Sequence, residues 1–302
     1  MKYRHAFHAG NFADVHKHVA LLALLEALAR KPRGYLYVDT HAGRGLYDLD
    51  SSAARESREA HSGVNALLHA RSEGRLVASQ GLTRYLDAVT AVRAETGLRH
   101  GCPGSPLLAA RVLRAVDRAV LIESDTLEFV ELGRALRGWR RISLENSDGF
   151  ARLPALLPPP ERRALVLIDP PFEETRLDFQ RIGHALTAAL EKLAHCVIAV
   201  WYPIKIEADM ARWHRSLAER LGAEQSRETL ISELYRYPPD SRAGLNGSGL
   251  LIVNPPYLLE GTLREDVAAL AAALEPGLGA AATEPGPGSW SVRQLGASKS
   301  TA

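Results

Sequence analysis

ALVLIDPPF, residues 164–172, contains the strand and the motif on which the fold prediction depends. Five apolar residues, 164 to 168, predict a strand buried on both faces, as in a parallel sheet. Asp169-Pro170-Pro171-Phe172 follows at once and ends the strand, since proline cannot donate to a ladder. The Asp169 carboxylate and the Pro170 carbonyl can accept the N–H groups of a nucleobase amine, and Phe172 can stack on that base. The alternative is an ordinary strand end at a Pro-Pro turn.

Apolar segments and helical periodicity alternate along the rest of the chain. Six further strands are predicted at 35–38, 119–123, 141–145, 196–201, 229–235 and 249–253. Helices are predicted at 12–30, 106–116, 125–137, 178–194 and 207–221. This alternation predicts an α/β fold, a doubly wound seven-stranded Rossmann-like sheet.

A glycine-rich turn follows the first predicted strand, where Val38 runs into Asp39-Thr-His-Ala-Gly-Arg-Gly45. Such a turn lets the backbone approach a ligand at the carboxyl ends of the strands. The dinucleotide pattern GxGxxG is absent, and the shorter Ala-Gly-Arg-Gly pattern, which includes Gly43, is typical of S-adenosylmethionine enzymes. Together with the Asp-Pro-Pro-aromatic strand end, it indicates an amino-methyltransferase.

Unequal spacing between the strand ends indicates an insertion. Asp39 to Glu123 spans 84 residues, whereas Glu123 to Asp148 spans 25 and Asp148 to Asp169 spans 21. A strand-helix-strand unit takes roughly 30 residues. We therefore predict a Rossmann-like methyltransferase domain at 1–49 and 100–275, with a small inserted helical subdomain at 50–99 that serves either as a substrate platform or as a passive decoration. The Gly/Pro-rich stretch 276–302 is predicted to be disordered.

Composition excludes several classes of protein. With 46% hydrophobic and 24% charged residues, the chain is ordinary for a globular protein. Two cysteines are too few for a disulfide framework or a cysteine zinc site, and no run of about 18 apolar residues could span a bilayer. We expect a cytoplasmic protein that needs no membrane and no obligate protein partner. The net charge is +2, but the first 33 residues are basic, which is typical either of a phosphate-contacting edge or of a solvated face.

A set of local motifs identifies a resemblance to a known family. The motifs are Tyr3-Arg-His5, His8-Ala-Gly-Asn11, Ala13-Asp-Val15, Lys17-His18, Asp39-Thr-His-Ala-Gly43, Pro103-Gly-Ser-Pro106, Asp148-Gly149 and Asp169-Pro-Pro171. Together they resemble the bacterial 23S rRNA (adenine(2030)-N6)-methyltransferase family, from Tyr3 to about Pro256. The N-terminal block is the most specific part.

The resemblance implies a site for S-adenosylmethionine, a catalytic acceptor at Asp169 and an RNA contact at Tyr3. The implied cofactor residues are His18, His41, Ser105, Glu123, Asp148 and Gly149, together with Asp169. Each has a structural alternative. The histidines could be core residues, Ser105 and Glu123 could belong to helix starts, and Asp148-Gly149 could be a turn. Lys17 is expected to contact RNA phosphate or to orient the site, and no metal site is expected.

Two details qualify the resemblance. The family commonly has Tyr where this chain has Phe172, which loses a hydroxyl but keeps the ring. A second motif, Asn254-Pro-Pro-Tyr257, follows the seventh predicted strand and is interpreted as a strand-ending turn. The expected function is methyl transfer to the N6 amine of one adenosine in 23S ribosomal RNA. The alternatives are adenine methylation in DNA and a non-catalytic RNA-binding protein on a methyltransferase fold.

Overall fold

The computed structural model describes residues 7–57, 59–222, 228–238, 241–242, 244–274 and 289–295. The strands are β1 (Leu36–Asp39), β2 (Leu46–Asp48), β3 (Gly101–Pro103), β4 (Arg118–Ile122), β5 (Ile142–Glu145), β6 (Ala164–Ile168), β7 (Val197–Ile204), β8 (Thr229–Tyr235), β9 (Gly247–Val253) and β10 (Trp290–Gln294). The helices are α1 (Phe12–Ala29), α2 (Ser52–Ser57), α3 (Val64–Ser72), α4 (Gln80–Thr96), α5 (Ser105–Val112), α6 (Thr126–Ala135), α7 (Gly149–Arg152), α8 (Thr175–Lys192), α9 (Glu207–Gly222) and α10 (Leu259–Leu274). The alternation confirms the predicted α/β class.

One large sheet organises the chain, with strand order β10-β8-β9-β7-β6-β1-β4-β5. Strands β7, β6, β1, β4 and β5 are parallel, whereas β9 runs antiparallel to β7 and β8. Their shared carboxyl edge comprises the segments that begin at Asp39, Glu123, Asn146 and Asp169, together with the end of β7. The opposite, amino edge comprises the loops 30–35, 113–117, 137–141, 157–163 and 193–196. Ligands of open α/β sheets bind at carboxyl edges, so the functional site is expected there.

The sheet has one strand more than predicted, because part of the predicted disordered tail is ordered. Strand β10 pairs antiparallel with β8, with Val292 opposite Ser232, and Val292 is buried. The prediction of disorder is therefore wrong for residues 289–295, and the other residues from 276 on lie outside the described part. Five residues after a Gly/Pro-rich stretch carry too little periodicity to predict a strand, and pairing with β8 supplies what the local pattern lacks.

Helix α1 is buried almost all round. Asn11 caps its start by accepting a hydrogen bond from the Asp14 N–H at 2.8 Å. One hydrophobic cluster joins α1 to the inserted helices and includes Val15, Val19, Leu82 and Tyr85. The insertion therefore shares its core with α1, and its role as a substrate platform stays a prediction. Among the described residues, no helix is long and apolar enough to cross a membrane.

Candidate active site at the carboxyl edge

Four acidic residues predicted from the strand ends meet at the carboxyl edge. Asp39 ends β1, Glu123 follows β4, Asp148 precedes α7 and Asp169 follows β6. Strand β1 lies between β4 and β6, so these ends are neighbours. The edge thus carries an excess of negative charge, which suits a cationic ligand.

Asp169 is held by a lysine from α1. The Lys17 ammonium donates to Asp169 Oδ2 at 2.6 Å and lies 2.9 Å from Asp14 Oδ1. Its side chain is only 5% exposed, whereas that of Asp169 is 13% exposed. Burial alone would lower the pKa of Lys17, but the attraction of the two carboxylates outweighs burial and raises the pKa well above its usual value. Lys17 is therefore a buried cation that fixes the direction of the Asp169 carboxylate.

This burial favours one of the two roles expected for Lys17. A phosphate contact needs an ammonium group that reaches solvent, and the Lys17 ammonium is enclosed by Asp14, Asp169 and the ring of Trp201, whose centroid is 5.9 Å away. The geometry does not support a contact with RNA phosphate. It supports the orienting role.

Asp39 forms a second buried carboxylate next to this pair. Its Oδ2 atom accepts hydrogen bonds from Ser105 at 2.7 Å and Tyr37 at 2.9 Å, and Oδ1 accepts from the His41 N–H at 3.3 Å. Burial raises the pKa of Asp39 to about 6, although the bonds from Ser105 and Tyr37 favour the carboxylate. Gly104, not Ser105, occupies the N-cap of α5. Ser105 thus supports Asp39 and is itself buried.

Glu123 closes the glycine-rich turn. Its Oε2 atom accepts from the Gly43 N–H at 2.8 Å, and Oε1 accepts from the Asp125 N–H at 2.7 Å. Gly43 has φ +62°, and a Cβ atom there would lie 2.4 Å from the Tyr47 hydroxyl, so the turn requires glycine. Burial raises the pKa of Glu123 above its usual value. Each carboxylate oxygen has two acceptor positions, so Glu123 can accept further hydrogen bonds.

Asp148 and Gly149 form the neighbouring part of the edge. Asp148 caps α7 by accepting from the Phe150 N–H at 2.9 Å, and it pairs with Arg181. A Cβ atom on Gly149 would lie 2.0 Å from the Thr40 carbonyl oxygen, so α7 packs directly on the end of β1. The His41 ring contacts Phe150 with centroids 4.8 Å apart, and burial lowers the pKa of His41 to about 4. His41 is therefore neutral at pH 7.

Phe172 does not lie where its predicted role requires. Its ring is only 4% exposed and packs against Phe179 at 5.3 Å and Trp201 at 5.7 Å between centroids. In this arrangement the Phe172 ring has no open face for a base, so the geometry does not support the stacking prediction. The residue has φ +51°, a left-handed conformation that turns the chain back towards the core after Pro171.

Trp201 is the aromatic residue that sequence reasoning missed. Ile168 pairs with Val200, so Trp201 on β7 is level with Asp169 on β6. The indole is partly exposed, and its N–H donates to Ser248 at 3.0 Å. Its position after an apolar run resembles any core strand, so only the strand register identifies it.

The remaining predicted residues lie elsewhere. His18 is 1% exposed, and its Nε2 atom lies 3.6 Å from Asp14 Oδ1. It is therefore buried where α1 packs against its neighbours and is not exposed at the carboxyl edge. Tyr3 lies outside the described residues. Among the residues that the structure describes, no group of three or more His, Cys, Asp or Glu side chains could hold a metal ion.

Comparison with known proteins gives consistent matches over most of the chain. The model of a family described as ribosomal RNA large subunit methyltransferase D, RlmJ, matches residues 32–285. Two relatives named ribosomal RNA large subunit methyltransferase J are similar. The Haemophilus influenzae protein is 32% identical over 98% of this chain and 99% of its own length. The Escherichia coli protein is 35% identical over 86% and 89%. The crystal structure of protein LPL1258 from Legionella pneumophila has a TM-score of 0.81 at 30% identity, covering 96% of this chain and 99% of that one.

Proposed function

The chain belongs to the family described as ribosomal RNA large subunit methyltransferase D, RlmJ, and we propose that it transfers a methyl group to the N6 amine of one adenosine in 23S ribosomal RNA. One observation carries the proposal. A partly exposed carboxylate, Asp169, stands at the carboxyl edge between an apolar strand and Pro170, and the buried Lys17 ammonium holds it at 2.6 Å.

S-adenosylmethionine is the cofactor, and it supplies an electrophilic methyl group on a sulfonium cation. The residues present fit this molecule. The Glu123 carboxylate follows β4, the position at which an acid in this fold binds ribose hydroxyls. The tight Gly43 turn and the Gly149–Thr40 contact bring backbone close to the same edge. Asp39 and Asp169 offer negative charge to a cation. We therefore assign Gly43, Glu123 and Asp148 to cofactor binding, with His41 beside them.

Asp169 acts on the substrate amine. The amine lone pair is delocalised into the adenine ring, so the site must hold both N–H groups for the lone pair to turn towards the methyl donor. The Asp169 carboxylate accepts one N–H and the Pro170 carbonyl accepts the other. Lys17 keeps Asp169 in place without approaching the amine, because its ammonium is bound between Asp169 and Asp14.

Trp201 supplies the aromatic surface in this proposal. Its ring is partly exposed and level with Asp169, whereas the Phe172 ring is enclosed. Stacking of about 1–3 kcal/mol per base offsets most of the cost of extruding an adenosine. We expect adenosine monophosphate to quench the fluorescence of the wild-type protein and to leave that of Trp201→Phe almost unchanged. Trp290→Phe, on β10 at the outer edge of the sheet, is the matched control and should keep the quench. An unaltered quench in Trp201→Phe would assign stacking to another ring.

Mass mapping tests the reaction itself. Ribosomal RNA from cells without the gene should lack one N6-methyladenosine in 23S ribosomal RNA, and the wild-type gene should restore it. The Asp169→Asn gene, expressed at the same level, should not. Unchanged ribosomal RNA with loss of a methylated adenine in DNA would overturn the RNA assignment.

A further inference from the structure

The amino edge of the sheet, opposite the active site, carries a dense positive charge. Residues 30–34, 113–118, 137–141 and 160–163 contain ten Lys or Arg residues and two acidic residues, whereas the whole chain has a net charge of only +2. The ten are Arg30, Lys31, Arg33, Arg114, Arg118, Arg137, Arg140, Arg141, Arg162 and Arg163. The rest of the chain is therefore net negative, as the carboxyl edge already shows.

Strand order brings these loops side by side. The loops precede β6, β1, β4 and β5, which are neighbours in this order, so they form a row about 15 Å wide at ~4.8 Å per strand. Arg163 and Asp169 stand at the two ends of β6, six residues and therefore ~20 Å apart. Charge at this edge cannot hold the phosphates next to the methylated nucleotide.

Most of the positive charge is exposed and not neutralised. Two of the ten residues pair with the two acids, Arg114 with Asp117 and Arg118 with Glu161. Seven are exposed, and within the described part of the chain none of the seven has a carboxylate within salt-bridge distance: Arg30, Lys31, Arg33, Arg137, Arg140, Arg141 and Arg162. A row of unneutralised guanidinium groups is destabilised by self-repulsion unless an anion binds.

The backbone of these loops is also fixed by hydrogen bonds and by unfavourable φ angles, which a merely solvated face does not need. Arg114 donates to the Lys31 carbonyl at 2.9 Å, and Arg163 donates to the Arg33 carbonyl, so the 30–33 loop is fixed. Arg141 and Arg162 have φ +63° and +52°, where glycine would cost less. Trp139, 38% exposed, lies in sequence between arginines and can stack on an unpaired base.

We propose that the amino edge binds the phosphate backbone of a second RNA segment, remote from the methylated adenosine in the same ribosomal RNA. The inference rests on the proposed function. Guanidinium forks match phosphate geometry, and a polymer with regularly spaced phosphates is the anion that can engage four adjacent loops at once. The edge thus favours a long, folded RNA over a short one with the same target.

A charge-matched pair of variants tests this. Arg33→Gln/Arg137→Gln/Arg140→Gln removes three exposed charges from the edge, and Arg215→Gln/Arg220→Gln/Arg242→Gln removes three exposed charges elsewhere. Binding to a long transcribed ribosomal RNA fragment, measured against salt, should weaken at least tenfold in the edge variant at physiological salt. Its log–log salt slope should fall by about 2–3, at roughly 0.7–0.9 for each phosphate contact. The control should stay within about twofold.

Methylation separates this inference from the proposed function. A short stem-loop that carries only the target adenosine should be methylated equally by the wild type and the edge variant, whereas KM for the long fragment should rise in the edge variant alone. Equal loss of long-RNA binding in both triple variants would overturn the proposal, as would unchanged binding in the edge variant. Binding to phosphatidylglycerol vesicles that the edge variant loses, with RNA binding intact, would also overturn it in favour of a membrane surface. If the wild-type protein methylates neither RNA, the proposed function is wrong. The salt-dependent binding measurement still tests the role of the amino edge in that case.

Discussion

Replacing Lys17 with methionine should impair the role of Asp169 in methyl transfer while leaving residue 169 itself unchanged. The change removes the cation between Asp14 and Asp169, whose facing oxygens are no more than about 5.5 Å apart because they lie 2.9 and 2.6 Å from the same ammonium. Two charges at ~5 Å in an effective dielectric of ~20 repel by about 3 kcal/mol. Removal of one partner from a buried ion pair costs about 3–5 kcal/mol, so a fall of about 3 kcal/mol in the free energy of unfolding is expected.

The same repulsion should appear in the rate. In Lys17→Met the Asp14 and Asp169 carboxylates face each other without the cation, and an Asp169 carboxylate that turns away from Asp14 no longer holds the amine. At tenfold per 1.36 kcal/mol, 3 kcal/mol corresponds to a roughly 100-fold loss of methyl transfer.

A second substitution makes the reasoning refutable. Asp14→Asn in the Lys17→Met background removes the repulsion and should recover at least tenfold of the lost activity and part of the stability. Single-turnover transfer of tritiated methyl groups to transcribed ribosomal RNA measures the rate, and urea unfolding measures the stability. Arg84→Met, which breaks the surface pair with Glu26, is the control and should change stability by less than about 1 kcal/mol. If the double variant is no better than Lys17→Met, charge balance at Asp169 is not the function of Lys17.

Three further predictions concern other residues of the edge and core. Asp169→Ala should abolish methyl transfer and leave the affinity for the cofactor, measured by calorimetry, within about tenfold of the wild type. Asn254→Ala removes only hydrogen bonds to backbone carbonyls, so it should keep normal turnover per folded molecule. The reverse pattern would assign the catalytic role to the motif at 254–257. Gly149→Ala should lower the free energy of unfolding by about 3 kcal/mol, because the new Cβ atom would lie 2.0 Å from the Thr40 carbonyl oxygen. Thermal unfolding measures the effect, and a normal melting temperature would contradict that packing. Burial lowers the pKa of His16 to about 3, so its contribution to stability is present above pH 6.5 and lost towards pH 3. The free energy of unfolding, measured with urea, should therefore depend less on pH in His16→Gln, by about 1.4 kcal/mol per pH unit between pH 6 and 4. An unchanged slope would refute this.

The elements that determine the site were predictable because they are local. An apolar run that stops at a polar residue marks both a buried strand and its end, which is how Asp39, Glu123 and Asp169 were placed at one edge. Strand β6 has the predicted bounds, and β1 and β4 are shifted by one residue. The sheet class then follows from the alternation of strands and helices.

The roles of side chains depended on contacts that no local pattern contains. Lys17 and Asp169 are 152 positions apart, so their hydrogen bond follows only from how α1 packs on the sheet. Phe172 was assigned to stacking from its neighbours in sequence, but a positive φ turns it into the core. Trp201 reaches the site through strand register. Exposure and register are tertiary properties, and these three residues needed the structure.

The two Pro-Pro motifs show why the direction of a strand decides the function of the residue that follows it. Asp169 follows β6, which is parallel to β1 and therefore ends at the carboxyl edge, where its carboxylate remains partly exposed. Asn254 follows β9, which runs antiparallel to β7 and ends at the amino edge. There its amide donates to the carbonyls of Ala194 and Cys196, at 3.0 and 2.8 Å, and closes a loop. An Asp at position 254 would lose both bonds and an Asn at 169 would lose the charge that binds Lys17, so the two motifs cannot exchange roles.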